Sequence, residues 1–349
     1  MKAEIKLADG TIYEGTFETR QSAGEGEIVF YTGMTGYQEV LTDPSYKGQI
    51  VVFTYPLIGQ YGIEDNASES KQIQVSGIVM QTLVEEDKGG FKDWLESSGV
   101  PVVSGVDTRA LVRSIRQGGD QWAVIDSKAE GNPEGTLGGV ISRVTTNKMI
   151  VHESMNKKGT IVCIDYGVKA SMIAALNARG FSVVQVPYDT PRRVIEQLNP
   201  DGLLFSNGPG DPAQMSAHLD DVKELALRYP TLGICMGHQV IATAFGCTVS
   251  KQRYGHRGAN HPVRHVKTGE IWLTSQNHGY VIDSESVNLS PLEVLYENVN
   301  DGSIEGLRHP HERIVTVQFH PEASPGPKEA MAIFDVFEGM IKKEVQHVS

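Results

Sequence analysis

Gly233-Ile234-Cys235-Met236-Gly237-His238-Gln239 continues the apolar run Thr231-Leu232 and opens the stretch Val240-Ile241-Ala242, which closes at Gly246. This is G-x-C-x-G between a short strand and a helix, the sulfur counterpart of the elbow that lifts a nucleophile above the end of an α/β sheet. The two glycines are expected to let the backbone turn sharply. A helix N-terminus and a paired histidine both activate a thiol. Phe319-His320-Pro321-Glu322, about 85 residues later, supplies the histidine and a carboxylate to orient it. A nucleophile, a base and an orienting acid compose a cysteine hydrolase, so acyl transfer is the expected chemistry.

Outward from the elbow the chain alternates strands and helices. Thr160 to Asp165 is a continuous apolar run, Ala170 to Ala178 reads as a helix ending at Gly180, and Phe181 to Val186 is the next strand. Gly202 to Phe205 and Thr231 to Cys235 repeat the pattern, with a helix at His218 to Arg228 between them. Runs buried on both faces with crossover helices predict an α/β domain with a mainly parallel sheet. Ligands of such sheets bind beyond the carboxyl ends of the strands, where Ser206-Asn207-Gly208-Pro209-Gly210 and Cys235 both fall. Ala330, Ile333, Phe334, Phe337, Met340 and Ile341 make a helical stripe for docking on the sheet.

The first third is different. Ala3 to Leu7 and Thr11 to Phe17 alternate across Asp9-Gly10, a hairpin signal, and β-prone runs follow at Glu27 to Tyr31 and Gln49 to Thr54. Between Phe91 and Arg116 the spacing turns helical, with Asp107-Thr108 as a cap and Gly118-Gly119 as a stop. This predicts a smaller, mixed α+β domain over residues 1–150. The aperiodic stretch 147–159 reads as a linker with the boundary near 155, and the α/β domain takes 159–349.

The 349 residues suit two domains, and 40% hydrophobic content fills two cores. A net charge of -12 opposes binding to nucleic acid. The start of the chain has no signal-like apolar stretch, and nothing approaches the ~18 apolar residues of a membrane span. Three cysteines, Cys163, Cys235 and Cys247, point to a reduced, cytoplasmic protein with Cys163 and Cys247 in the core. The loop Ser206 to Pro212 lacks both the Gly-Lys-Ser/Thr ending of a phosphate loop and G-x-G-x-x-G, so no ATP or NAD site is expected. Its glycines suit an oxyanion site made by the N–H groups of Gly208 and Met236. His256, His261 and His265 lack the neighbouring ligands of a zinc site, and no metal is expected. Glu85-Glu86-Asp87 reads as solvated surface.

Ser206 to Pro212, Gly233 to Gln239, Asn277-His278-Gly279 and Phe319-His320-Pro321-Glu322-Ala323 together resemble the class I (triad) glutamine amidotransferases. The N-terminal half narrows the likeness: Gly33-Met34-Thr35-Gly36-Tyr37-Gln38-Glu39, Thr42-Asp43-Pro44-Ser45-Tyr46, Thr54-Tyr55-Pro56 and Gly105-Val106-Asp107-Thr108-Arg109-Ala110-Leu111 are similar to the small chain of carbamoyl-phosphate synthase. The resemblance spans essentially the whole chain. It implies Cys235 as nucleophile, His320 as acid and base, and Glu322 as the orienting group in glutamine hydrolysis. It implies a glutamine site lined by Ser45, Gly208, Gly210, Met236, Gln239, Asn277, Gly279 and Tyr280, with Ser45 contributed by the first domain. Met236 and Tyr280 stand where related chains often carry Leu and Phe. Lys169 and His278 are site neighbours without an assigned role.

The resemblance also implies a heterodimer. This chain has no ATP motif, so ATP, Mg and bicarbonate would be used by a large synthetase subunit that receives the ammonia, with the N-terminal domain as the docking surface. The carbamoyl phosphate would serve arginine or pyrimidine biosynthesis. Competing readings are a stand-alone cysteine hydrolase, indifferent to ATP, another glutamine amidotransferase, and a non-catalytic binding subunit, against which the intact Cys235, His320 and Glu322 argue.

Overall fold

The structure is a computed structural model that describes residues 1–84 and 90–345; the acidic run Glu85-Glu86-Asp87 lies outside them. The chain divides into two units, Met1–Leu137 with Arg253–Gly258, and Gly138–Gln252 with Ala259–Ser349. The division therefore falls earlier than residue 155, and a short piece of the later sequence groups with the first unit. The physical reason is a strand. Ile150–His152, read above as linker, pairs antiparallel with Phe181–Pro187 and forms the edge of the second unit's sheet. Three residues are too few to show a period.

In the first unit the expected small sheet closes on itself. The barrel order is Lys2–Leu7, Ile12–Phe17, Val102–Ser104, Gly77–Val79, Gln49–Phe53, Gly24–Tyr31 and Gln121–Asp126. Alternation works as anticipated in the first hairpin, where Ala3, Ile5 and Leu7 are buried and Gly10 takes φ 88 at the turn. The strand Gly24–Tyr31 instead buries both faces: Ile28 and Phe30 join one core, Val29 and Tyr31 another. The helix Thr108–Gly118 starts where Asp107 accepts the N–H of Ala110 at 2.9 Å and seats Leu111 and Ile115 in the core. The region from Phe91 to Arg116 is not all helical, because Val102–Ser104 is a barrel strand between two helices.

The second unit is a ten-stranded sheet between two layers of helices. Its centre is five parallel strands in the order Phe181–Pro187, Gly159–Asp165, Gly202–Phe205, Thr231–Ile234 and Ile314–Val317. Gly202–Phe205, Thr231–Ile234 and Ile314–Val317 are buried along their whole length, which is why their sequences read as unbroken apolar runs. Antiparallel strands extend the sheet on the Ile314–Val317 side. Leu219–Arg228 and Met236–Ala244 cover one face. Ala170–Ala178 and Ala332–Val345 cover the other, the latter seating Ile333, Phe334 and Phe337. Each such side chain contributes roughly 1.5–3 kcal/mol on burial.

Candidate active site

The strand Thr231–Ile234 ends at Cys235, which has φ 52 and ψ -101 and immediately precedes the helix Met236–Ala244. Positive φ costs a residue with a Cβ of order 1–3 kcal/mol, and such strain collects at functional positions. The sharp turn is thus made by the cysteine itself and not by its glycines. Gly233 and Gly237 serve close packing: a Cβ on Gly237 would lie 2.1 Å from the Phe205 carbonyl oxygen, and one on Gly233 2.9 Å from that of Gly237. Their absence lets the helix start directly over the sheet.

Cys235 is buried, its N–H donates to the carbonyl of Val317 at 2.8 Å, and its thiol donates to the carbonyl of Asn277 at 3.5 Å. The neighbouring strand Ile314–Val317 continues to His320, whose backbone N–H donates to the Ser275 carbonyl at 2.9 Å. That bridge anchors the histidine to the strand carrying Asn277. His320 Nδ1 lies 2.8 Å from Glu322 Oε1, while Nε2 is buried and has no hydrogen-bond partner among the described residues. A carboxylate on Nδ1 fixes the tautomer and leaves Nε2 for the chemistry.

The same oxygen of Glu322 meets a second cation, while Oε2 is buried without a hydrogen-bond partner among the described residues. Lys169 Nζ sits 2.8 Å from Glu322 Oε1 and donates to the carbonyls of Ala323 at 3.0 Å and Ser324 at 2.8 Å. Lys169 precedes the helix Ala170–Ala178 and is 2% exposed. Ala323 and Ser324 both carry positive φ, 61 and 49. The ammonium therefore also ties down two consecutive strained residues beside the carboxylate. Burial opposes the charged form of Glu322, but the Lys169 and His320 charges outweigh it and hold the carboxyl at about 2. Burial also opposes a charged His320 ring, yet the Glu322 charge, aided by Cys235, raises it to about 10. Burial pushes the thiols of Cys163 and Cys247 up, away from the reactive thiolate.

Around this array the second unit gathers most of the remaining expected residues. Gly208 passes so close to Tyr166 that a Cβ would meet its carbonyl oxygen at 2.4 Å, and Gly210 adopts φ 91. Met236 follows Cys235 and points its side chain into the core. Gln239 Nε2 donates to the carbonyl of Tyr280 at 3.0 Å and to Gln318 Oε1 at 3.0 Å. Asn277 is buried, and its Nδ2 has no partner among the described residues. Gly279 and Tyr280 are partly buried beyond it on the same strand. His278 Nδ1 lies 2.9 Å from the Tyr280 carbonyl and Nε2 2.9 Å from Gln276 Oε1. Ser45 belongs to the first unit. It is buried on the turn Pro44–Tyr46, where its N–H donates to Asp43 Oδ1 at 2.8 Å. Gln318 was not singled out by the sequence, where it reads only as the polar member of an apolar strand.

A buried cysteine at a strained elbow, with a histidine and a carboxylate following the adjacent strand, on a three-layer α/β fold is the arrangement expected of a class I glutamine amidotransferase. The comparisons agree. Residues 162–340 match the class-I glutamine amidotransferase family, and residues 5–125 match the small-chain domain of carbamoyl-phosphate synthase. The arginine-specific small chain of carbamoyl phosphate synthase from Halalkalibacterium halodurans is 46% identical, covering 97% of this chain and 96% of its own. That of Bacillus subtilis is 43% identical, over 99% and 100%. The small chain from Caldanaerobacter subterraneus subsp. tengcongensis is 40% identical, over 98% and 97%. The chain belongs to the class I glutamine amidotransferases and, within them, to the family of carbamoyl phosphate synthase small chains.

Proposed function

We propose that this chain is the glutaminase subunit of a carbamoyl-phosphate synthase, releasing ammonia from glutamine through a thioester on Cys235. The observation that carries the reading is the closed chain Lys169–Glu322–His320, which ends in an unpartnered Nε2 and includes the Cys235 thiol among the groups acting on the ring. The proton of the Cys235 thiol passes to His320 Nε2 as the sulfur attacks the carbon of the side-chain amide, and negative charge builds on the amide oxygen. The N–H groups of Gly208 and Met236 are assigned to that oxygen. When the C–N bond breaks, the His320 ring, raised to about 10, gives its proton to the departing ammonia. Transfer of that proton leaves the ring neutral. The neutral ring then takes a proton from water, which cleaves the thioester to glutamate and restores the thiol. Glu322 keeps the ring oriented throughout, and Lys169 keeps Glu322 ionised and in place.

Ser45, Gly208, Gly210, Met236, Gln239, Asn277, Gly279 and Tyr280 are assigned to glutamine. A large synthetase subunit, docked on the first unit, uses ATP, Mg and bicarbonate with the ammonia to make carbamoyl phosphate. Glutamine hydrolysis by this chain together with the large chain that co-purifies with it should rise when ATP and bicarbonate are added. Hydrolysis that proceeds without a partner and ignores ATP would contradict the assignment and favour a stand-alone cysteine hydrolase.

A further inference from the structure

The direction in which the Gln239 amide points is fixed by chemistry. A backbone carbonyl only accepts, so the end of the amide 3.0 Å from the Tyr280 oxygen is the nitrogen. The same nitrogen lies 3.0 Å from the side chain of Gln318, which must therefore present its own oxygen. Gln318 cannot easily turn away. It is fully buried, directly after the strand Ile314–Val317, and its backbone N–H donates to the carbonyl of Glu305 at 2.8 Å. Its Nε2 is buried without a partner among the described residues, so the orientation is kept although it leaves one donor unmatched. With both hydrogens of Gln239 Nε2 engaged, Oε1 is the end of this amide left for a ligand.

We propose that Gln318 is a positioning residue that, together with the Tyr280 carbonyl, keeps Gln239 turned with its oxygen outward and so sets the polarity of the substrate subsite. This rests on the reading of the Cys235 array as a glutaminase. An outward oxygen attracts a hydrogen-bond donor, best a cationic one, and repels a carboxylate. On free glutamine the matching group is the α-ammonium. A glutamine residue inside a peptide has no such cation, so the same device selects the free amino acid over protein-bound glutamine.

The test compares glutamine with glutaramate, the same amide without the α-ammonium, as substrates of this chain with its co-purified partner. Gln318→Met keeps the length of the side chain and removes the acceptor. The preference for glutamine should fall about tenfold, the size of one misdirected charge-assisted hydrogen bond. The loss should fall on KM for glutamine, with kcat/KM for glutaramate changed by less than about threefold. Gln318→Glu retains an acceptor at the same place and should return the preference to within about threefold of the unmodified chain. Should Gln318→Met not fold, Gln318→Ser also removes that acceptor and gives the same comparison. An unaltered preference, or a parallel fall for both substrates, overturns the proposal. Absence of glutaminase activity in the unmodified complex overturns the parent reading and this one together. Activity with an unaltered preference overturns this one alone.

Discussion

Lys169–Glu322 in the second unit and Arg257–Asp120 in the first are both ion pairs shut away from water, at 2.8 and 3.0 Å, yet their carboxylates respond in opposite directions. Glu322 has two cations, Lys169 and His320, and is held at about 2 in spite of burial. Asp120 has one, and burial, together with the nearby Glu27 charge, leaves its carboxyl above the usual range. Arg257 is itself shifted up by Asp120 and Glu27 against its burial. A guanidinium does not lose its proton near neutral pH, and the carboxyl is therefore the end that yields. A buried pair is weak evidence of stability by itself. What separates the two is the third partner: Glu322 orients a titrating ring, whereas Asp120 also accepts the N–H of Gly255 at 3.3 Å and ties down backbone.

On the proposed function the first pair belongs to the chemistry and the second to the fold, a contrast that can be broken at several points. The largest effect is expected from Cys235→Ser. Glutamine hydrolysis should drop by a thousandfold or more while the complex still makes carbamoyl phosphate from free ammonia. In that background Lys169→Met should cost nothing further in glutamine turnover. Loss of the ammonia-driven reaction as well would make Cys235 structural.

On its own, Lys169→Met leaves a buried carboxylate with one cation fewer. Unfolding by denaturant should show a loss of about 3–5 kcal/mol. Activity should fall about ten- to a hundredfold, mainly in kcat, because Glu322 and the strained residues after it lose their tether. A stability loss with kcat intact would reduce Lys169 to a structural lysine.

Dependence on pH sharpens the contrast. The folded pKa of Glu322 lies below its unfolded value, so its contribution is present above about pH 4.5 and is lost as pH falls toward about 2, by roughly 3 kcal/mol. His320 is raised, so its contribution is complete below about pH 6.5 and is lost as pH climbs through about 10. Asp120 is also raised, and its contribution is present below about pH 3.8 and lost on going up. Hydrogen exchange measured between pH 5 and 3 should therefore show protection near residues 314–324 falling while that near residues 120 and 253–257 holds. Parallel loss in both regions would remove the distinction.

The smallest effect is expected from Arg257→Met. Asp120 can relieve its isolation by taking a proton, so the loss should be about 1–2 kcal/mol, smaller than for Lys169→Met. A larger loss than Lys169→Met in the same denaturant titration would reverse the ranking.

Much of this was legible in the chain. Continuous apolar runs gave the central parallel strands because those strands are buried on both faces, and Asp107 marked its helix because a cap is a local interaction. Cys235, His320 and Glu322 stand out in the sequence through spacing and strand ends, and the structure places Cys235 at the elbow and the Glu322 carboxylate on His320 Nδ1. Closure of the barrel was not legible, since pairing of Lys2–Leu7 with Gln121–Asp126 is a long-range event that leaves no local period. Ile150–His152 was too short to read as a strand. The roles of the elbow glycines were misassigned, because a near-contact with Phe205 cannot be seen in a motif. Lys169 stood beside the site without a role until its bonds to Glu322, Ala323 and Ser324 were seen. Gln318 was missed because only its partner Gln239, distant in sequence, gives its amide a meaning.

The most direct test is to mix the purified complex with glutamine labelled in its carbon chain, quench with acid during turnover, and map the label by peptide mass. The account predicts a glutamyl adduct on Cys235 that is absent from Cys235→Ser and labile to hydroxylamine. Sustained glutamine hydrolysis with no adduct on Cys235, or with the label on another residue, would contradict it.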